Sequence, residues 1–234
     1  MKRWTTKNGY EIYQVLTGRC NSYLVKFGGV VILVDTGKTA AYKKLTSNIE
    51  SLKLSANTQK ILVLTHSHFD HCQNAWALSN HYNYKVWVSK DEAEFAKQGY
   101  TPLPKGTYSI SKLISAVGEK CFSFRLGYRP FVPDILVDDE MALSNLGLNI
   151  KIFTTPGHSV GSISVIVDDE IALVGDALFG VFPNSIFPPF ADDTQIMVDS
   201  WKKLSQTNCR LFLPAHGNAI SRNLLLKEYH KYSN

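Results

Sequence analysis

Residues 64–74 read LTHSHFDHCQN, and three of the chain's seven histidines fall within six consecutive positions there, together with Asp70. In an extended segment alternate side chains share a side, so His66, His68 and Asp70 would project together while Ser67 and Phe69 turn away. His71 lies just beyond, where the chain is expected to enter a helix, and can reach the same space from another angle. Without a cation, four such groups crowded into one loop would desolvate one another. A divalent metal reverses that, because imidazole nitrogens and carboxylate oxygens are good donors at about 2.0–2.2 Å. A four-coordinate catalytic ion takes three protein ligands and keeps one position open. The loop therefore holds too many mixed donors for one closed site. Two ions would use them better, with further ligands arriving from elsewhere.

Three stretches offer those ligands. TTPGHSVGS carries His158, ALVGDALFG carries Asp176 and FLPAHGNA carries His216, each where an apolar run gives way to a glycine-containing loop. Such strand ends are where an α/β scaffold presents functional groups. Taken singly, each reads equally well as an ordinary polar residue at a strand end; the coincidence with the first cluster is what singles them out. The other histidines, His81 in a polar turn and His230 in the closing helix, read as surface residues.

The elements that must position these groups are legible in outline. YEIYQVL, NSYLVKF and VVILVD are short runs rich in Val, Ile and Tyr between turn residues, and read as consecutive strands. Residues 39–54 place Ala41, Leu45, Ile49 and Leu52 on one helical stripe. KILVLT is a nearly continuous apolar run of strand length, as expected of a strand buried on both faces. It leads into a helix near Asp70, the strand YKVWVS and the helix KDEAEFAKQ. After residue 134 the strands LNIKIFT, SISVIVD, EIALVGD and CRLFLP alternate with the helices DTQIMVDSWKKLS and RNLLLKEYHKY. Between these halves, residues 98–134 hold four prolines and four glycines around the amphipathic piece SISKLISAVG, and read as an inserted lid or loop region. Residues 1–234 are expected to form one domain built of two sheet-and-helix halves.

Composition narrows the function. No stretch approaches the roughly 18 consecutive apolar residues of a membrane span, and the basic start is not followed by the apolar segment of an export signal. Cytoplasm is the default expectation. Cys20, Cys72, Cys121 and Cys209 show no CxxC pairing and read as reduced, structural thiols. The net charge of +5 is spread over short basic clusters without interleaved aromatics, which argues against a nucleic-acid track.

HSHFDH, followed in order by TPGHS, GDALF and PAHG, resembles the metallo-β-lactamase superfamily, in the style of its glyoxalase II-like hydrolases. VDTGK at 34–38 matches that family's early Asp motif. The resemblance implies a four-layer αββα sandwich of two mixed β-sheets flanked by helices, with a dinuclear site at one edge. It implies that His66, His68 and His158 hold one ion, that Asp70, His71 and His216 hold the other, and that Asp176 bridges them. Asp35 would steady the site from behind its ligands, and an Asx-type cap on the Thr36-Gly37 turn is a second expectation for it. Zinc is the expected metal, with iron and manganese suited to the same donors.

The implied reaction is hydrolysis: a hydroxide bridging the two ions, oriented by Asp70, attacks an electrophilic centre while the ions take up the developing negative charge. No serine or cysteine nucleophile is required. By that resemblance an Asp at position 176 argues against a true β-lactamase, and with 18 residues after His216 the helical glutathione-recognition domain of glyoxalase II is expected to be missing or replaced. The aromatic, proline-rich loop over 180–193 and the insertion are expected to form a partly apolar rim, favouring a small-molecule ester, thioester, lactone or related acyl substrate. A phosphodiesterase or nuclease, an iron-dependent sulfur oxygenase and a non-catalytic binding protein on the same fold are the alternative readings.

Overall fold

The computed structural model describes residues 1–113, 115 and 126–233. Its first sheet has seven strands in chain order: β1 (Arg3–Thr5), β2 (Glu11–Leu16), β3 (Ser22–Phe27), β4 (Val30–Val34), β5 (Gln59–Val63), β6 (Lys85–Ser89) and β7 (Ile135–Val137). The second has six: β8 (Glu140–Ala142), β9 (Ile150–Thr154), β10 (Ile163–Val167), β11 (Ile171–Gly175), β12 (Leu211–Pro214) and β13 (Ile220–Ser221), in the order β13-β12-β11-β10-β9-β8. Both sheets are mixed. Strands β4 to β7 pair in parallel, as do β11 and β12, and the remaining pairs are antiparallel.

The period of two along the central strands explains the layering. On β4, Ile32 and Val34 face the second sheet, whereas Val31 and Leu33 face the helices α1 (Tyr42–Glu50), α2 (Phe69–Cys72), α3 (Ala75–Tyr82) and α4 (Ala93–Gln98). On β10, Ile163, Val165 and Val167 complete the layer between the sheets, and Ile166 turns to α5 (Thr194–Gln206) and α6 (Arg222–Tyr232). Strands apolar on both faces thus give three apolar layers and the expected αββα sandwich. Among the described residues no helix is long and apolar enough to cross a membrane.

Several elements depart from the sequence reading. The helix expected over 39–54 is a 3₁₀ turn at Thr39–Ala41 followed by α1, which ends at Glu50. Strands β1, β7, β8 and β13, two or three residues long, are too short to show a period. The amphipathic piece over 109–118 lies partly outside the described residues, and Cys121 wholly so.

What matters for the site is direction. Strands β4, β5 and β6 run parallel in one sheet, and β9, β11 and β12 run the same way in the other. Asp35, the 64–71 loop, His158, Asp176 and His216 all follow the C-terminal ends of these strands. Open α/β sheets place ligands at that end. The two sheets are tied there by the Ile163 N–H donating to the Thr65 carbonyl at 2.8 Å.

Candidate metal centre

The loop after β5 is built in two pieces. His66 and His68 follow the strand ahead of α2, His68 in extended backbone, with Ser67 between them bonded to Glu92. Asp70 does not continue that alternation. It sits in the first turn of α2, beside His71, so the helix brings these two to the pocket where a longer strand would have separated them.

Each of four histidines has one ring nitrogen committed, and this fixes which nitrogen is free. The Thr65 hydroxyl gives its single proton to Asp35 Oδ2 at 2.8 Å, so the His66 Nδ1–H donates to Thr65 Oγ1 at 3.1 Å. The His71 Nδ1–H donates to the same Asp35 Oδ2 at 2.9 Å, and the Thr65 N–H to Asp35 Oδ1 at 2.8 Å. Asp35, whose φ is +60°, therefore sets two tautomers at once, directly for His71 and through Thr65 for His66. Its carboxylate reaches across to β5 and α2 rather than capping the Thr36-Gly37 turn. His68 Nε2–H donates to the Pro102 carbonyl at 3.1 Å, and His158 Nδ1–H to the Phe190 carbonyl at 2.9 Å. Both acceptors lie in the segments expected to be lid and rim.

The remaining nitrogens meet. His68 Nδ1 and His158 Nε2 stand 3.1 Å apart, and with both rings donating elsewhere two lone pairs face each other. His66 Nε2, His71 Nε2 and Asp176 Oδ1 are buried without any hydrogen-bond partner. An orphaned buried polar atom costs about 1–3 kcal/mol, and three in one pocket need a common explanation. The donor atoms of His66, His68 and His158 lie within 4.8 Å of one another, as do those of Asp70, His71 and His216, and those of His66, His71 and Asp176. Asp176 stands between the two sets: Oδ1 is 3.6 Å from His71 Nε2, and Oδ2 is 3.5 Å from His158 Nε2 and 3.3 Å from His216 Nε2. His216 Nε2 is also 3.7 Å from Asp70 Oδ2, at the more open side of the pocket. Converging nitrogen and oxygen atoms, three of them without a hydrogen-bond partner, fit a pair of divalent cations.

Charge points the same way. Burial, and then the neighbouring imidazoles, push His66 and His68 well below the ordinary histidine value, leaving them neutral donors. Burial also opposes charge on His71 and His216, but their acidic neighbours outweigh it, with Cys20, Asp176 and Asp35 around His71 and Asp176 beside His216; both are raised. Burial would raise Asp176, yet His216, His71 and His158 together hold its carboxyl well below the usual range. The metal-free pocket draws protons where a cation would sit. Cys20 Sγ lies 3.8 Å from His71 Nδ1, but burial pushes that thiol up to about 12, and the nitrogen is already spent on Asp35.

The second half reaches the pocket through separate strand ends. Asp176 follows Gly175 at φ +52°, where a Cβ would stand 2.5 Å from Thr65 Oγ1; glycine lets β11 pass the hydroxyl that Asp35 uses. His216 sits in a turn gripped from β3. Asn21 donates its backbone N–H to the Ala215 carbonyl at 2.6 Å and its side-chain amide to the carbonyls of Pro214 and Gly217, while the Tyr23 hydroxyl donates to Pro214 at 2.9 Å. No local spacing or motif in the sequence marks Asn21, Thr65 or the buried Glu92 as parts of this site. His81 and His230 lie exposed on α3 and α6.

A sequence model described as the metallo-beta-lactamase superfamily matches residues 15–216. Hydroxyacylglutathione hydrolase GloC of Haemophilus influenzae is 28% identical over 190 residues, spanning 80% of this chain and 79% of that protein. Among solved structures, the B3 metallo-beta-lactamase BLEG-1 superposes with a TM-score of 0.72 at 20% identity, covering 95% of this chain and 100% of its own. The archaeal protein ST1585 from Sulfolobus tokodaii gives 0.65 at 21% identity, covering 95% and 86%.

Proposed function

Because the chain belongs to the metallo-β-lactamase superfamily and is a metallo-hydrolase, we propose that it is a dinuclear enzyme cleaving small acyl compounds, with thioesters foremost. The observation that carries this reading is the meeting of ligand-type atoms of His66, His68, His71, His158 and Asp176 in one buried pocket, three of them without a hydrogen-bond partner. His66, His68 and His158 would hold one ion and Asp70, His71 and His216 the other, with Asp176 between them. Two divalent ions there would supply Lewis acidity and an activated water at neutral pH.

The chain's own groups do the rest. Asp35 keeps a proton on His71 Nδ1 and, through Thr65, on His66 Nδ1, so both rings present Nε2 to the pocket. Asp70, whose side chain is 21% exposed, is the more open of the two site carboxylates and would orient the attacking water and carry its proton toward the leaving group. All five histidines are engaged, so protonation of the leaving group falls to little besides Asp70. A thioester suits that shortage, because a thiol with pKa near 8.5 departs readily as thiolate.

Apolar side chains flank the histidine loops, which favours an acyl group over a bare phosphodiester. Val160 is 58% exposed beside His158, and Val181 and Phe182 are 49% and 45% exposed in the loop whose Gly180 N–H donates to the His216 carbonyl at 2.8 Å. That loop and the 98–134 segment bond to one another, through Thr107 to the carbonyls of Pro188 and Pro189 and through Ala191 to that of Lys105, and together would form the substrate rim of a single domain. Zinc is our choice of metal, and three buried free thiols, Cys20, Cys72 and Cys209, suit a reducing, cytoplasmic setting.

Elemental analysis of cleanly expressed protein, followed by rates on glutathione thioester, lactone, β-lactam and phosphodiester substrates, tests the proposal. Two zinc ions per chain and the highest kcat/KM on the thioester are expected. Fastest turnover of the phosphodiester, or one iron per chain with oxygen consumption, would sink it.

A further inference from the structure

Glu92 is wholly buried at the C-terminal end of β6, and its two carboxylate oxygens serve two different loops. Oε2 accepts from the Ser67 N–H at 3.0 Å and from the Ser67 hydroxyl. Oε1 accepts from the Ser159 hydroxyl at 2.6 Å and from the Gly161 N–H at 3.2 Å. Ser67 lies between His66 and His68, and Ser159 follows His158. One side chain therefore joins the two loops that bring the three-histidine set together.

The chemistry of the join is specific. A carboxylate has about four acceptor positions and no donor, and all four partners are donors. A glutamine would set its amide N–H groups against one pair of them. The approach is also close: a Cβ at Gly161 would lie 2.5 Å from Glu92 Cγ, so the loop is drawn against the carboxylate's stem with no room for a side chain. On the Ser67 side the clamp is continued by Thr101, whose hydroxyl donates to the Ser67 carbonyl at 2.8 Å and contacts the Tyr128 hydroxyl at 2.8 Å.

We propose that Glu92 is a positioning residue for the three-histidine set, clamping the Ser67 and Ser159 loops at the separation that lets His66, His68 and His158 share one ion. The proposal rests on the reading of those histidines as ligands. Asp35 does the corresponding work from another direction, on the tautomers of His66 and His71. Glu92 touches no imidazole. It acts only on the spacing of the backbone that carries them.

The test is a metal titration of the full-length, metal-stripped chain with Co2+, followed by visible absorption, and with Zn2+ against a competing chelator. His158→Ala identifies the binding step that belongs to the three-histidine set. Glu92→Gln is expected to weaken that step about 10- to 100-fold, the range for residues that orient ligands, while the Asp70/His71/His216 step keeps its wild-type affinity. Ser159→Ala removes one arm, should weaken the same step to a smaller extent, and decides the matter if Glu92→Gln does not fold. Asp168→Asn is the control for stability alone. That buried carboxylate binds Asn8 and Asn149 just past the far end of β10, and its loss should lower the melting temperature and leave both steps unchanged. Equal weakening of both steps by Glu92→Gln, or wild-type affinity in both Glu92→Gln and Ser159→Ala, overturns the clamp. A wild-type chain that takes up no metal overturns the metal-centre reading itself, and the wild-type titration tells the two failures apart.

Discussion

The two halves of the sandwich supply the pocket in different ways. The first half gives His66, His68, Asp70 and His71 from six consecutive residues after β5. The second gives His158, Asp176 and His216 from three separate strand ends, 18 to 40 residues apart in sequence. A contiguous loop needs only local backbone geometry to gather its donors: an extended step for His66 and His68, then a helical turn for Asp70 and His71. Dispersed donors need the register of β9, β11 and β12 to be right, and each needs its own anchor. For His158 that anchor is the Phe190 carbonyl; for Asp176, the passage of Gly175 over Thr65; for His216, the grip of Asn21 and Tyr23. The dispersed half is thus the one in which a single substitution should disturb one donor at a time.

Asp176→Ala strikes the comparison hardest, because that carboxylate lies between both sets. Loss of at least one ion per chain and a fall in turnover well beyond about 100-fold, larger than an orienting residue would give, are expected from metal analysis and steady-state rates. Full activity with two ions retained would place the bridge elsewhere. Asp35→Asn comes next. An amide cannot accept from the Thr65 N–H, the Thr65 hydroxyl and the His71 N–H together, so zinc affinity should drop about 10- to 100-fold at the His71 set. An unchanged affinity would show that tautomer control is not what Asp35 contributes.

The pH response separates the protons from the cations. In the metal-stripped chain His71 and His216 are raised, so their contribution to stability is complete below the unfolded histidine value of 6.5 and is lost as pH climbs through their folded values. Asp176 is lowered, so its contribution is present above 3.8 and is lost only as pH falls through its folded value. The stripped chain should therefore melt at lower temperature as pH rises from about 6.5 upward. Apparent zinc affinity should instead tighten over the same range, since metal must displace those protons. Parallel trends in the two experiments would contradict the shared pocket. The smallest effect belongs to His81→Ala, a surface histidine on α3. Metal content should be unchanged and stability within about 0.5 kcal/mol of wild type; a lost ion there would overturn the assignment of the ligands.

How much of this could be read from the chain follows the same division. The crowding of HSHFDH is visible because its donors are neighbours, and Leu62, Ile61 and Val63 show their two-sided burial as an unbroken apolar run. The helix expected near Asp70 begins at Phe69, so Asp70 reaches the pocket from a helical turn and not by continuing the alternation of His66 and His68. Asn21 and Glu92 were invisible for a physical reason: their partners stand 193 and 25 to 69 positions away, and a hydrogen bond over such spans leaves no local period or spacing.

The sequence by itself determined which donors exist and which loops carry them, and its resemblance to a known family implied that two sheets would close on one another. Only the tertiary structure decided which nitrogen of each imidazole is committed, because that depends on the Asp35 carboxylate, the Thr65 hydroxyl and the carbonyls of Pro102 and Phe190. It also decided that two loops from opposite halves stand at a fixed separation across Glu92. A ligand's identity is a property of its residue, whereas its lone-pair direction is a property of everything packed behind it.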